Sequence, residues 1–240
     1  MSRNSLSETD VIYEDNHLIV ISKACGIATM GTTESEESLY RLTKEFLKKK
    51  YEKPGNVYLG VVSRIDSFVS GVLVFAKTSK AASRLSEQFR NGKVKKSYVA
   101  IVEGKMESPS GHLKSWMRKN DRLRRVESFP QEVNGSKFAE LRFQVRSSNL
   151  EFSLLEIELI TGRKHQIRSQ LSDLGSPVFG DRKYDGIENF GNGIALHAHK
   201  LKISHPTKKT LMEFVDPIPD RWKQSRKIAL LLPGFPGCVD

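Results

Sequence analysis

Short strand-like runs and helix-like stripes follow one another irregularly along this chain, which argues against a regular strand–helix–strand succession and the parallel sheet it builds. Val11-Ile12-Tyr13 and Leu18-Ile19-Val20-Ile21 are apolar runs parted by the turn-like Glu14-Asp15-Asn16, and they read as two strands. Residues 37–50 place Leu39, Leu42, Phe46 and Leu47 near helical spacing among lysines, and Lys53-Pro54-Gly55-Asn56 then reads as a loop. Residues 72–76 are apolar without interruption, as in a strand covered on both faces. A helix follows, with Thr78 or Ser79 as its cap, Ala82, Leu85 and Phe89 on one face, and Asn91-Gly92 at its end. Residues 97–102 read as a further strand. Leu155, Ile157 and Leu159 alternate with Glu156 and Glu158, the pattern of a half-buried strand. Residues 163–174 return to helical spacing, with Ile167, Leu171 and Leu174 on one stripe, and late strands are expected around 194–204 and 210–215. The expected fold is therefore α+β: a central mixed or mostly antiparallel sheet with flanking helices and loops.

The length suffices for one large domain or two small ones. Residues 1–9 read as a polar N-terminal tail, 10–225 as the folded domain, and 226–240, with Leu230-Leu231-Leu232 and Phe235, as a C-terminal tail. Residues 111–136 stand apart as a basic excursion. They hold Lys114, Arg118, Lys119, Arg122, Arg124 and Arg125, with Trp116 among them and Asp121 and Glu127 as nearby acids. The segment reads either as an arm that contacts a polyanion or as a solvated loop.

Charge matters to that choice. Thirty-nine Lys and Arg face 28 Asp and Glu, a net +11. Such an excess favours a nucleic-acid partner, because each neutralised phosphate releases a counterion. The alternative is a basic protein with no such role. No apolar run reaches bilayer-spanning length, and Met1-Ser2-Arg3-Asn4-Ser5 lacks the apolar core of a secretory signal, so a cytoplasmic location and no membrane partner are expected. Cys25 and Cys238 are too few and too far apart for a disulfide framework or a zinc pattern.

Two segments carry candidate chemistry. In Ser63-Arg64-Ile65-Asp66-Ser67-Phe68-Val69-Ser70-Gly71, a carboxylate stands directly before a buried strand, where a rigid scaffold can hold it. The same Arg and Asp could form a surface ion pair. In Thr161-Gly162-Arg163-Lys164-His165-Gln166-Ile167-Arg168, basic and imidazole side chains cluster at an expected helix start, which attracts phosphate or carboxylate. On a helix Lys164 and Arg168 would share a face, one turn apart.

These segments fall into blocks that resemble the RluA-type family of pseudouridine synthases, over roughly residues 10–218. Residues 13–23 resemble the family's opening strand pair. Arg64-Ile65-Asp66, then Ser70-Gly71-Val72-Leu73-Val74 and Ala76-Lys77-Thr78, resemble its catalytic motif. Lys96-Ser97-Tyr98-Val99-Ala100 with Gly104 resembles its tyrosine motif. Residues 161–168, through Leu174-Gly175, Pro177, Gly180-Asp181 and Lys183-Tyr184, resemble its third motif, and Ala195-Leu196-His197-Ala198 with His205-Pro206 close the set.

The resemblance implies an RNA-modifying isomerase that turns uridine into pseudouridine in structured ribosomal or transfer RNA and needs no cofactor; a monomer is expected because the target is a large rigid RNA. Asp66 would be the catalytic aspartate. Arg64 would help extrude the target nucleotide, Tyr98 would stack on the uracil and assist proton removal from C5, and Arg168 would pair with Asp66. Arg163, Lys164 and His165, and Arg118, Arg122, Arg124 and Arg125 of the basic segment, are expected RNA contacts. The chain departs from the family's usual residues at Ser63, Val69, Lys164, Ala24 and Ser169-Gln170, and keeps Asp66, Tyr98 and Arg168. Only about ten residues precede the first block, so the S4 RNA-binding domain of many relatives is expected to be absent. Two rival readings are a non-catalytic RNA-binding or RNA-chaperone protein, and a metal-dependent hydrolase built on His197, His199 and His205. For the second, no acidic cluster accompanies the histidines, and no metal site is expected.

Overall fold

The structure, a computed structural model, describes residues 5–31 and 37–234. Phe235, Cys238 and the first four residues of the expected N-terminal tail lie outside them. The chain forms two compact units, Met1–Lys95 with Lys200–Asp216, and Lys96–His199 with Pro217–Asp240.

The first unit holds β1 (Val11–Glu14), β2 (Leu18–Lys23), α1 (Leu39–Lys50), β3 (Gly60–Val61), β4 (Ser70–Ala76) and α2 (Ser79–Arg90). β2 lies between β1 and β4 and is antiparallel to both. Leu18–Ile21 and Val72–Ala76 are buried at every position, which is why these runs are apolar throughout rather than alternating. The two helices start where their caps put them. The Ser38 side chain accepts from the Arg41 amide, and the Thr78 hydroxyl accepts from the Ala81 amide at 3.2 Å. α1 lays Leu39 and Leu47 against Ile19, Ile21, Leu73 and Phe75. Each such side chain, fully buried, contributes roughly 1.5–3 kcal/mol. On α2 the buried residues are Ala81 and Leu85, one turn apart, while Ala82 and Phe89 of the expected face are half-buried.

The second unit holds β5 (Lys95–Glu103), β6 (Ser110–Asn120), β7 (Arg125–Phe129), β8 (Lys137–Ser148), β9 (Phe152–Leu159) and α3 (Gln166–Asp173). Its strands run in the order β5-β9-β8-β6-β7, each pair antiparallel. The basic stretch 111–136 falls on β6 and β7 and the turns after them, and Met117 and Val126 pack there against Ala139. β10 (Leu196–Ser204) passes from this unit back into the first, and β11 (Leu211–Val215) pairs with it antiparallel. α4 (Asp220–Lys223) carries Trp222 into a core with Val99, Ile101, Phe179 and Phe190, which Ile228, Leu231 and Leu232 also enter. The start of the expected C-terminal tail thus packs on the second unit.

α3 departs from expectation at both ends. His165 takes a left-handed conformation (φ 53°), so the helix begins at Gln166 and not at residue 163. Leu174 lies at its C-cap, 45% exposed, off the buried stripe. The α+β class with antiparallel strand pairs is as the sequence led one to expect. Among the described residues no helix is long and apolar enough to cross a membrane.

Candidate active site

In the first unit Asp66 sits, half-buried, in the loop that leads into β4. Its Oδ1 accepts from the Phe68 amide at 3.1 Å and from the Ser67 hydroxyl at 3.3 Å, while its carbonyl accepts from the Val69 amide at 3.1 Å. An Asp that binds the amide two residues on forms its own turn, so the carboxylate's direction is set locally. At Gly71 the backbone takes φ 125°, which glycine adopts without a Cβ clash, just where the chain enters β4. Arg64, two residues before Asp66, is exposed.

Two residues that the sequence reading gave no role hold this loop. The Thr29 hydroxyl donates to the Ile65 carbonyl at 2.8 Å and accepts from the Ile65 amide at 3.3 Å. Lys23, 0% exposed, lies opposite Gly71 in the β2–β4 pair. Its Nζ donates to the carbonyls of Ala24 (2.9 Å), Ile27 (2.8 Å) and Ser67 (3.3 Å). Burial pulls its pKa down to about 8, against the opposing charges of Cys25 and Asp66. A lysine that closes an otherwise buried strand was the available signal, since such a residue must find acceptors.

In the second unit Tyr98 lies on β5 opposite Ile157, half-buried, and burial pushes its phenol up to about 12. It is therefore protonated at neutral pH and presents an uncharged ring. Arg168, on α3, is 2% exposed. Its Nε and Nη2 donate to the two carboxylate oxygens of Asp181 at 2.6 and 2.7 Å, a buried bidentate pair. Sequence reasoning singled out Arg168 and gave Asp181 no role, although Gly180-Asp181 stood in the matched block. At Gly180 (φ 85°) a Cβ would fall 2.5 Å from the Phe190 Cβ, so glycine is required beside Asp181.

Tyr184 gathers several candidates. Its buried ring lies 4.8 Å from the Arg168 guanidinium and 5.3 Å from that of Arg125. Its hydroxyl accepts from the Val126 amide at 2.9 Å and lies 2.8 Å from His165 Nδ1. Arg125 and Arg168 thus share the Tyr184 ring.

Lys164 is a correction. The helix starts two residues after it, so Lys164 is exposed while Arg168 is buried, and the expected common face does not exist. Arg163, Arg122 and Arg124 are exposed, and Arg118 stacks on Phe129 at 5.0 Å. Of the rival histidines, His205 and His197 are engaged elsewhere. His205 Nε2 donates to Asp15 at 2.8 Å and its Nδ1 accepts from the amides of Thr207 and Lys208, while His197 packs edge-on against Trp222. Among the described residues no three His, Cys, Asp or Glu groups are arranged to hold a metal ion.

Comparison with known proteins bears on the whole constellation. A family model described as RNA pseudouridylate synthase matches residues 17–173, a span that includes Arg64, Asp66, Tyr98 and Arg168. The chain is 36% identical over 225 residues to an uncharacterised RNA pseudouridine synthase of Bacillus subtilis (strain 168), covering 88% of this chain and 69% of that protein. It is 30% identical over 224 residues to the ribosomal large subunit pseudouridine synthase C of Vibrio parahaemolyticus, covering 90% of this chain and 68% of that one. Among solved structures, human RNA pseudouridylate synthase domain containing 4 superposes with a TM-score of 0.73 at 23% identity, covering 93% and 92% of the two chains, a likeness of fold.

Proposed function

The chain belongs to the RNA pseudouridylate synthase family, and with that as premise we propose that Asp66 is the catalytic carboxylate of an isomerase acting on uridine in ribosomal or transfer RNA. The reaction breaks the N1–C1′ bond, turns the uracil and rejoins it through C5, with the C5 proton lost to solvent and the freed N1 taking up a proton. An ionised aspartate can attack C1′ or take a proton from the sugar, and either role needs the carboxylate charged and aimed. The Asx turn at Asp66 supplies the aim, and this placement at the mouth of β4 is the observation that carries the assignment. For Arg168, which Asp181 holds, we propose the electrostatic role of favouring the ionised form of Asp66. Tyr98 stacks on the extruded uracil, a contact worth roughly 1–3 kcal/mol per base in single-strand binding. Its protonated phenol favours stacking, because it serves as a base only after losing its own proton.

A base cannot react inside a stack, so the target nucleotide is flipped out, and Arg64, exposed beside Asp66, fills the vacated place. Arg163, Lys164 and His165, and Arg118, Arg122, Arg124 and Arg125 of the β6–β7 hairpin, contact the RNA backbone. The enzyme acts in the cytoplasm as a monomer, its large folded target supplying the rigid partner.

The test is tritium release from RNA labelled at uracil C5, with ribosomal and transfer RNA pools from cells lacking the enzyme assayed separately. Release by wild type and not by Asp66→Asn supports the reading and names the RNA class. Bound RNA without release from either pool would overturn it and leave an RNA-binding protein.

A further inference from the structure

Lys96 sits two residues before Tyr98 on β5, so the two side chains project from the same face. Their backbone positions are about 7 Å apart along the strand, a span that one nucleotide bridges from base to phosphate. Lys96 is half-buried, yet its ammonium has no acid and no hydrogen-bond acceptor among the described residues. The acids on the neighbouring strand β9 are used elsewhere. Glu156 takes Arg146 and the Ser97 hydroxyl, and Glu158 faces Arg142. What comes close to Lys96 is another cation. Burial lowers its pKa, and the Arg163 charge lowers it further. Its Nζ lies 3.2 Å from where a Cβ on Gly162 would be, which puts the amine against the Thr161-Gly162-Arg163 turn.

That turn is built rigidly. The Gln166 side chain, 2% exposed, accepts from the Thr161 hydroxyl (2.8 Å) and the Arg163 amide (3.0 Å) through Oε1, and donates to the Glu140 carbonyl (3.0 Å) through Nε2. The Arg163 Nε donates to the Phe138 carbonyl at 2.8 Å, which leaves its two terminal amino groups without a protein acceptor among the described residues. Two cations held together beside a rigid turn, with no anion between them, repel each other until one joins them. A phosphate satisfies both, since a guanidinium offers it a fork of donors and an ammonium a point charge.

We propose that Lys96 and Arg163 form a subsite for one phosphodiester of the bound RNA strand, next to the uracil that stacks on Tyr98. The subsite rests on the reading of Tyr98 above.

The experiment uses the whole chain and a labelled decauridylate, with affinity measured between about 50 and 300 mM KCl. Lys96→Met and Arg163→Gln each weaken binding roughly tenfold at the low-salt end. The double variant loses about 0.7 from the slope of log affinity against log salt, the share of one single-strand phosphate and not of two. Lys96→Arg keeps wild-type slope and affinity, and Lys96→Met unfolds at a temperature no lower than wild type, since it removes an unpartnered, half-buried charge. Unchanged affinity and slope in Lys96→Met overturn the subsite, as does a double variant that loses the slope of two phosphates. Failure of the enzymatic reading registers separately, as the absence of tritium release by a protein whose decauridylate binding still responds to Lys96.

Discussion

At the scale of single residues, the proposed chemistry rests on side chains whose partners are buried. Asp181→Asn would replace a carboxylate that grips Arg168 at both oxygens with an amide, which has one acceptor and turns N–H groups toward a donor-only guanidinium. Removing one partner of a buried pair leaves an uncompensated charge, and a loss of about 3–5 kcal/mol in unfolding free energy is expected by urea denaturation. Thr29→Val keeps the shape and removes both bonds to the Ile65 backbone, next to Asp66. The stability cost is about 1–3 kcal/mol. Turnover falls more than RNA affinity does, because a shift of about 1 Å in a reacting group can cost on the order of a hundredfold in rate. Single-turnover rates and binding constants of the variant, measured side by side, check this. Both residues were visible in the sequence, but neither carries a local mark of its role. Asp181 looks like any Asp after a Gly, and Thr29 like any loop threonine.

At the scale of elements, the β6–β7 hairpin is the clearest case of a segment whose character the structure sharpened. Its strand pairing runs from Trp116↔Phe129 to Asn120↔Arg125, and the connecting turn carries Arg122 and Arg124 into solvent. Arg124 holds φ 50°, a left-handed conformation that costs a residue with a Cβ and suits glycine. Arg122→Ala with Arg124→Gly should therefore remove two cations without lowering the melting temperature. If both meet phosphates, the slope of log affinity against log salt falls by about 1.4–1.8, equally for every RNA sequence tried. A slope equal to that of wild type would make this turn a solvated one. Charge spacing alone left that choice open, because a basic run reads the same in a loop and in a hairpin. The strand pattern was diluted by the polar residues along β6 and by Lys119, which falls on the same face as the buried Ser115 and Met117.

At the scale of the whole molecule, stability carries a pH signature from Asp216. It is 4% exposed, and burial pushes its carboxyl up to about 6, with Asp10 adding to the rise and the Ser22 hydroxyl opposing it. A folded pKa above the unfolded one means that the folded state binds the extra proton. Asp216 is therefore at its most favourable below the unfolded carboxylate range near pH 4 and turns unfavourable as pH rises through about 6. Asp216→Asn mimics the protonated form. It should leave stability near pH 4 unchanged and raise it by up to about 3 kcal/mol at pH 7.5, read as the difference between denaturation midpoints at the two pH values. An equal effect at both would show that burial does not hold the carboxyl neutral.

The sequence by itself determined most of the elements and the order of the motifs. Both are written in short-range terms: a run of apolar residues, a capping threonine at 78, an Asp66 that forms its own turn with the amide two residues on. Such signals act within a few positions and survive whatever the rest of the chain does. The tertiary structure alone decided the rest. It gave Lys23 an acceptor 44 residues away at Ser67, Arg168 its grip on Asp181, Gln166 its hold on Glu140, and Lys96 its place against Gly162. It also delayed the start of α3 until after His165, where a left-handed backbone overrode a helical pattern. Each of these depends on which distant segments are brought together and on the burial that results. A buried charge or amide must find its partner wherever the fold supplies one, and no local pattern states where that will be.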